Sequence, residues 1–420
     1  MSAGIARVTA RFVAPFALLA AAAAGCDGAG AESRPVPVIV VGAAGKDCPA
    51  GTTWDGARCS NKGQDECDPG AASPDGECTQ SRPRAVIAAD LPITVMVRDP
   101  RPWRLKPGSV VRLTTTVQQM EKLLTSTPTG RERLMVMARL GDYYVELSYA
   151  IRQARGKDDA VTAAAAKAIK IYATALADFP GIPGADEVAY FLGLEYERAD
   201  RMDEARRTYL KLIQSWPSSR YNPLAYLAFA EHFFAEGAAD PSKMQLAEQA
   251  YKEVIKYPPP DNHAFAYAHY KLGQAFKTTG RQQEALSQFK KTIEATVIYP
   301  GPAAGQLAAE ARSELVAAYS SVGAGSKAYH FFRPLSGDEP GKDDRTVFML
   351  IELGAAYGRL GSAGEAIALF NDLLARASGG RLCPQMPQMM GALASLDTPA
   401  NAASRPDLAR ISQELSQRCP

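Results

Sequence analysis

The sequence predicts an all-α fold built by repetition: an α-solenoid of about six helix–turn–helix units, preceded by a small, irregular, disulfide-rich segment. Three observations carry this. At 420 residues the chain is longer than one compact core usually holds. From Val110 onward apolar residues recur at helical spacing, in an alanine-rich background with few long β-branched runs. A Leu-Gly pair followed three residues later by an aromatic occurs four times, at Leu140-Gly141/Tyr144, Leu192-Gly193/Tyr196, Leu272-Gly273/Phe276 and Leu353-Gly354/Tyr357. Net charge is +2, from 47 basic and 45 acidic residues. No basic stripe is available for a phosphate backbone, which argues against nucleic acid as a partner.

Residues 1–25 place Arg7 and Arg11 before an apolar run, Phe12 to Ala24, that is too short and too rich in small residues to span a bilayer. This reads as a secretory signal. The stretch Leu19-Ala20-Ala21-Ala22-Ala23-Ala24-Gly25-Cys26 resembles a bacterial lipoprotein signal, with Ala23 where that group usually carries leucine. The resemblance implies lipidation at Cys26; the alternative is ordinary cleavage near Ala24. Seven cysteines are an odd number for an exported chain. Giving Cys26 to lipid leaves Cys48, Cys59, Cys67, Cys78, Cys383 and Cys419 able to pair fully. Asp27, next to the lipid site, leaves the choice of inner or outer membrane open.

Residues 26–110 read as a tether. Within it, 46–80 is rich in Gly, Asp, Pro and Ser without apolar periodicity, so cross-links must supply its order. Zinc fits less well, because no Cys-x-x-Cys is present and the histidines lie far away. Val38 to Lys46 imitates a phosphate loop, yet Val40 and Asp47 stand where such a loop needs glycine and a hydroxyl. Leu91 to Val97 is a short apolar run, read as a strand or an extended tether.

The array follows over 111–380. A first amphipathic helix spans about 112–125. The unit of Leu140-Gly141 and Tyr144 reaches its second helix, with Ala168 and Tyr172, after a polar expansion from Gln153 to Ala160. Leu192-Gly193, Tyr196, Ala205 and Tyr209 form the second unit; Ala230, Phe233, Ala247 and Tyr251 form a degenerate third. Leu272-Gly273, Phe276, Gly280, Ala285 and Phe289 make the fourth, with Gly280 suited to a left-handed position where the chain reverses. Leu315-Val316, Tyr319, Gly323, Ala328 and Phe332, then Leu353-Gly354, Tyr357, Gly361, Ala366 and Phe370, complete the series. This order of large, small, large, turn, small, large resembles the tetratricopeptide repeat (TPR). The resemblance implies stacked antiparallel pairs forming a right-handed superhelix. Region 381–420 would cap the open end with a helix near Pro406–Gln417, flanked by Cys383 and Cys419. Spacings above 34 residues, with second helices ending in Ile213 to Ser219 and Val254 to Pro258, look like the envelope TPR lipoproteins of Gram-negative bacteria, which act in outer-membrane assembly, division or gliding motility. Thr116 to Glu146 loosely resembles the myxobacterial gliding-motility group.

No catalytic constellation is found. His263 and His269 are six apart and do not share a helical face for a metal, and no His-Glu-x-x-His occurs. Gly323-Ala324-Gly325-Ser326-Lys327-Ala328 follows a helix, where a dinucleotide fingerprint requires a strand. No cofactor and no enzyme activity are expected. Function then falls to the concave surface, whose positions by resemblance are Glu187, Tyr190, Leu194, Glu197 and Arg198, then Glu231 and Phe234, then Tyr267, Tyr270, Gln274 and Lys277. Tyrosines among charges suit a protein or peptide partner in the envelope. The expected protein is an exported, periplasm-facing, membrane-anchored scaffold. A cell-wall-turnover enzyme is the alternative from another class, though only about forty residues follow Gly380; a third reading makes the cysteine module the binder and the repeats a spacer.

Overall fold

Helices joined by short turns make up nearly all of the computed structural model, which describes residues 52–54, 59–61, 93–99, 101, 108–301, 303–339, 344–376 and 382–419. The stretch read as a signal (1–25), Cys26 and most of the stretch read as tether and cysteine module lie outside the described residues. Two three-residue strands, β1 (Thr52–Trp54) and β2 (Cys59–Asn61), pair antiparallel with Thr52 opposite Asn61. Every other described element is helical, so the fold is all-α. The chain divides into two units, one of residues 1–90 and 101–216 and one of 91–100 and 217–420. This division falls inside the span read as one array, and residues 91–100, read as tether, belong to the second unit.

In the first unit, α2 (Val110–Ser126) starts on Ser109, whose hydroxyl accepts from the Arg112 amide at 3.4 Å. Then come α3 (Arg131–Gln153) and α4 (Asp158–Asp178). The polar stretch 153–160 is therefore a four-residue turn, and the extra length of this pair lies in its long helices. Helix α4 is also long and apolar enough to cross a membrane by length and composition. Its alanines account for that score, and its Ala168, Tyr172 and Ala175 are buried in the unit. The unit closes with α5 (Ala185–Arg198) and α6 (Met202–Ser215).

The second unit contains α1 (Ile93–Arg98), then α7 (Asn222–Glu236), α8 (Pro241–Ile255), α9 (Phe265–Thr278), α10 (Gln282–Ile298) and α11 (Ala304–Val322). After a short 3₁₀ turn come α12 (Ala328–Phe332), α13 (Asp344–Arg359), α14 (Ala363–Arg376), α15 (Met386–Leu396) and α16 (Arg405–Arg418). Helix Ile93–Arg98 thus corrects the strand or tether reading over the described part of that run. Ile93, Met96 and Val97 are all buried, one helical stripe, and burial of that stripe overrides the extended preference of its β-branched residues.

Three of the pairs share one close approach. A Cβ on Gly193 would lie 2.5 Å from the Tyr209 ring, one on Gly273 2.7 Å from Phe289, and one on Gly354 2.1 Å from Phe370. In all three the aromatic lies sixteen residues after the glycine, so the contact sits symmetrically about the turn and the two helices run antiparallel. The turns share one mechanism. Asp200 (φ 57°), Gly280 (77°) and Gly361 (71°) are left-handed. The next amide returns to the helix, from Arg201 to Tyr196 O at 2.8 Å, Arg281 to Phe276 O at 2.8 Å and Ser362 to Tyr357 O at 2.9 Å. These are Schellman closures, which satisfy the last free carbonyls.

The pair beginning with α11 departs from this pattern. Its second helix shrinks to α12, and Gly325 is small for a different reason from a turn: a Cβ there would lie 2.0 Å from the Glu365 carbonyl of α14. Gly325 N also donates to Glu365 Oε2 at 2.7 Å. After α12, Asp338 anchors the start of α13. Its carboxylate accepts from Arg345 N (2.9 Å), Thr346 N (3.0 Å) and Thr346 Oγ1 (2.7 Å). At the C-terminus Leu408, Ile411 and Leu415 bury the predicted helix, and Cys383 is bonded to Cys419.

Candidate functional site

In the second unit α1 lies against α9 and the loop before it. Thr94 Oγ1 and Tyr267 Oη are 2.6 Å apart, and His263 Nε2 lies 2.8 Å from the Val97 carbonyl. A carbonyl only accepts, so His263 carries its proton on Nε2. One side chain and one main-chain group of α1 are therefore recognised separately. Tyr267 and Tyr270 are 3 % and 7 % exposed.

Around this contact the first helices of adjacent pairs converge. On α7, Glu231 accepts from Tyr251 Oη at 2.6 Å and pairs with Lys271 at 3.5 Å. The Lys271 ammonium also sits 4.0 Å over the Phe234 ring. Gln274 donates to Tyr270 Oη at 2.9 Å, and Lys277 reaches Glu314 on α11 at 2.6 Å. Ile93, Thr94, Tyr267, Tyr270, Lys271, Gln274, Gln306 and Glu310 line one open pocket. Burial, and then the charge of Glu231, push the Tyr251 and Tyr267 phenols well above the ordinary tyrosine range. Both hydroxyls stay protonated at physiological pH and act as fixed hydrogen-bonding groups.

The first unit contains a second constellation, also built on the segment before the array. Arg101, with a side chain only 7 % exposed, reaches Asp142 of α3 at 3.2 Å and Glu195 of α5 at 3.0 Å. It lies 3.4 Å from Tyr172 Oη and 4.2 Å over the Phe191 ring. Tyr172 Oη donates to Asp142 at 2.7 Å, and Arg198 completes the shell of Glu195. The buried Glu195 and the part-buried Asp142 are thus balanced by guanidinium groups, as charges withdrawn from water must be. Tyr172 is pushed far above its ordinary value by burial and then by Asp142.

Of the residues expected on the concave surface, Glu231, Phe234, Tyr267, Tyr270, Gln274 and Lys277 come together on the second unit. In the first unit, Glu187 and Glu197 are half-buried on α5, and Arg198 pairs inward with Glu195. Tyr190 and Leu194 are buried, Tyr190 with its ring against Phe191 and Tyr209, and offer no open surface. Sequence reasoning missed Thr94, His263 and Lys271, and in the first unit Arg101, Asp142 and Glu195. The signal for the first group was the Ile93/Met96/Val97 spacing, masked by β-branched composition; for Arg101 there was none. His269 is buried, bonded to Gln288 at 2.7 Å with Phe265 against its ring. Among the described residues no cluster of His, Cys, Asp and Glu is arranged to hold a metal ion. No protein-family model matches this sequence, and no curated protein matches it significantly.

Proposed function

We infer that this chain is a non-enzymatic, TPR-type binding scaffold, exported and lipid-anchored at Cys26, which holds a helical segment of an envelope protein on the face of α7, α9 and α11. Support for the repeat assignment comes from the sixteen-residue spacing shared by the glycine–aromatic contacts of Gly193, Gly273 and Gly354 and from the matched Schellman turns at Asp200, Gly280 and Gly361. One observation carries the binding assignment. The face already accepts a short helix, α1, through an apolar stripe, a tyrosine–threonine hydrogen bond and a histidine on a main-chain carbonyl. That is the chemistry of a helix-in-groove receptor.

The reading is tested by crosslinking intact membranes, recovering the chain, and identifying what is bound to wild type and to Tyr267→Ala/Tyr270→Ala. A partner present with wild type and lost with the variant is expected; a set of bound proteins unchanged by the substitutions refutes the groove. Cys26→Ser is expected to move the chain from the membrane fraction to the soluble one, and continued membrane attachment refutes the lipid anchor.

A further inference from the structure

We propose that α1 is an intrasteric ligand: Ile93–Arg98 occupies, in the same chain, the site that an external helix must take, and binding therefore proceeds by displacing it. The proposal rests on the groove assignment above and adds both a control device and the chemistry of the partner.

The contact has the composition of a receptor with a bound peptide. Helix α1 has only six residues, far too few to be stable alone, so the receiving surface maintains its conformation. What it offers is modular: an apolar stripe at Ile93, Met96 and Val97, one hydroxyl at Thr94, one main-chain carbonyl at Val97, and a basic last turn at Arg98. The surface answers the hydroxyl with Tyr267 and the main-chain carbonyl with His263. The positive charge of Arg98 and the negative charge of Glu231 act in opposite senses on the same Tyr251 and Tyr267 phenols. Contacts of α1 lie alongside a pocket whose remaining walls, Gln274, Gln306 and Glu310, belong to the receiving helices. An incoming ligand therefore has a foothold beside α1 before α1 leaves.

The same chemistry defines the partner: a short amphipathic helix with apolar residues at i, i+3 and i+4, a serine or threonine at i+1, and lysine or arginine at i+5. An acidic residue at that last place would add to the negative charge that Glu231 already exerts on these phenols and be disfavoured. Because α1 is tethered, it competes at an effective concentration of roughly millimolar. Only a partner that exceeds it in contacts, or is itself held at the same membrane, wins the site.

The test uses the full chain and a fluorescent peptide of residues 90–101 as probe. In Ile93→Asp/Met96→Asp two charges replace the buried stripe and expel α1. Peptide anisotropy is expected to show about 100-fold tighter binding to this variant than to wild type, since the tethered competitor is gone. Replacing the threonine in the probe by alanine should weaken binding roughly fivefold, the value of one hydrogen bond. Equal affinity for both proteins, or no binding to a variant that retains its helical circular dichroism, overturns the proposal. A measurement on wild type stands beside it in case the variant fails to fold. With millimolar peptide, amide hydrogens of residues 95–99 should exchange faster while α9 remains protected. Exchange at 95–99 that occurs only with unfolding of the whole second unit would mean that α1 is core, and would also overturn it. Both tests use this chain's own sequence as ligand, so their failure leaves the crosslinking experiment to judge the groove separately.

Discussion

Replacing Arg101 by methionine isolates the energetics of the buried ionic cluster. The change keeps much of the apolar volume and removes the cation that stands between Asp142 at 3.2 Å and Glu195 at 3.0 Å. Breaking a buried pair by deleting one partner costs about 3–5 kcal/mol, because the remaining charge is left uncompensated. Here both carboxylates keep a second partner, Tyr172 Oη at 2.7 Å for Asp142 and Arg198 for Glu195. The lower end, about 3 kcal/mol, is therefore expected. For a domain of this size that corresponds to a fall of about 6–12 °C in melting temperature. Thermal denaturation followed by circular dichroism measures it, with hydrogen exchange reporting whether loss of protection is centred on residues 108–216. Adding Glu195→Met should recover part of the loss, since apolar side chains replace a buried pair well. A fall of less than about 2 °C for Arg101→Met, or no recovery in the double variant, would refute the claim that paired burial, and not simple packing, holds this cluster together.

Other consequences are more local. Gly354→Ala places a methyl group 2.1 Å from the Phe370 ring, and overpacking of this kind should cost about 1–3 kcal/mol in urea unfolding. Phe370→Leu in the same molecule should relieve part of it. At the turns, Gly280→Ala is expected to destabilise by about 1 kcal/mol, while Asp200→Gly, at the equivalent left-handed position, should stabilise slightly. Burial tends to raise the Asp338 carboxyl, but the hydroxyl and amide of Thr346, the Arg345 amide and the Ser336 hydroxyl outweigh it and hold its pKa below the usual range. A depressed carboxylate contributes its full stability above the unfolded pKa, about 3.9, and loses it as pH falls through the lower folded value. Asp338→Asn should therefore cost about 1–3 kcal/mol at pH 7, and the gap to wild type should close on acidification below pH 4. A gap that is constant from pH 7 to pH 2 would contradict this account.

The repeating pairs were legible in the chain because their signals are local. Leu-Gly with a following aromatic announces a close helix contact wherever it occurs, and the glycines 280 and 361 mark turns that only a left-handed residue closes easily. Tyr267, Tyr270 and Lys277 were singled out by the resemblance to the repeat family, and all three lie on α9. What composition and periodicity by themselves determined was an all-helical body; the pairing of the helices and the side of each that would look away from its partner were implied by the resemblance. Tertiary structure decided everything that depends on long-range burial. Leu91 to Val97 has the makeup of a strand, yet Ile93–Arg98 is a helix in which Ile93, Met96 and Val97 are buried, with Thr94 bonded to Tyr267, 173 residues further along the chain. Arg101 looks like any charged residue in a proline-rich tether, and only the fold brings Asp142 and Glu195 to it from two helices. Helical periodicity reports which face of an element is apolar, and cannot report what will cover it. In this protein the cover is the chain's own preceding segment, and that choice lies in contacts that no local pattern encodes.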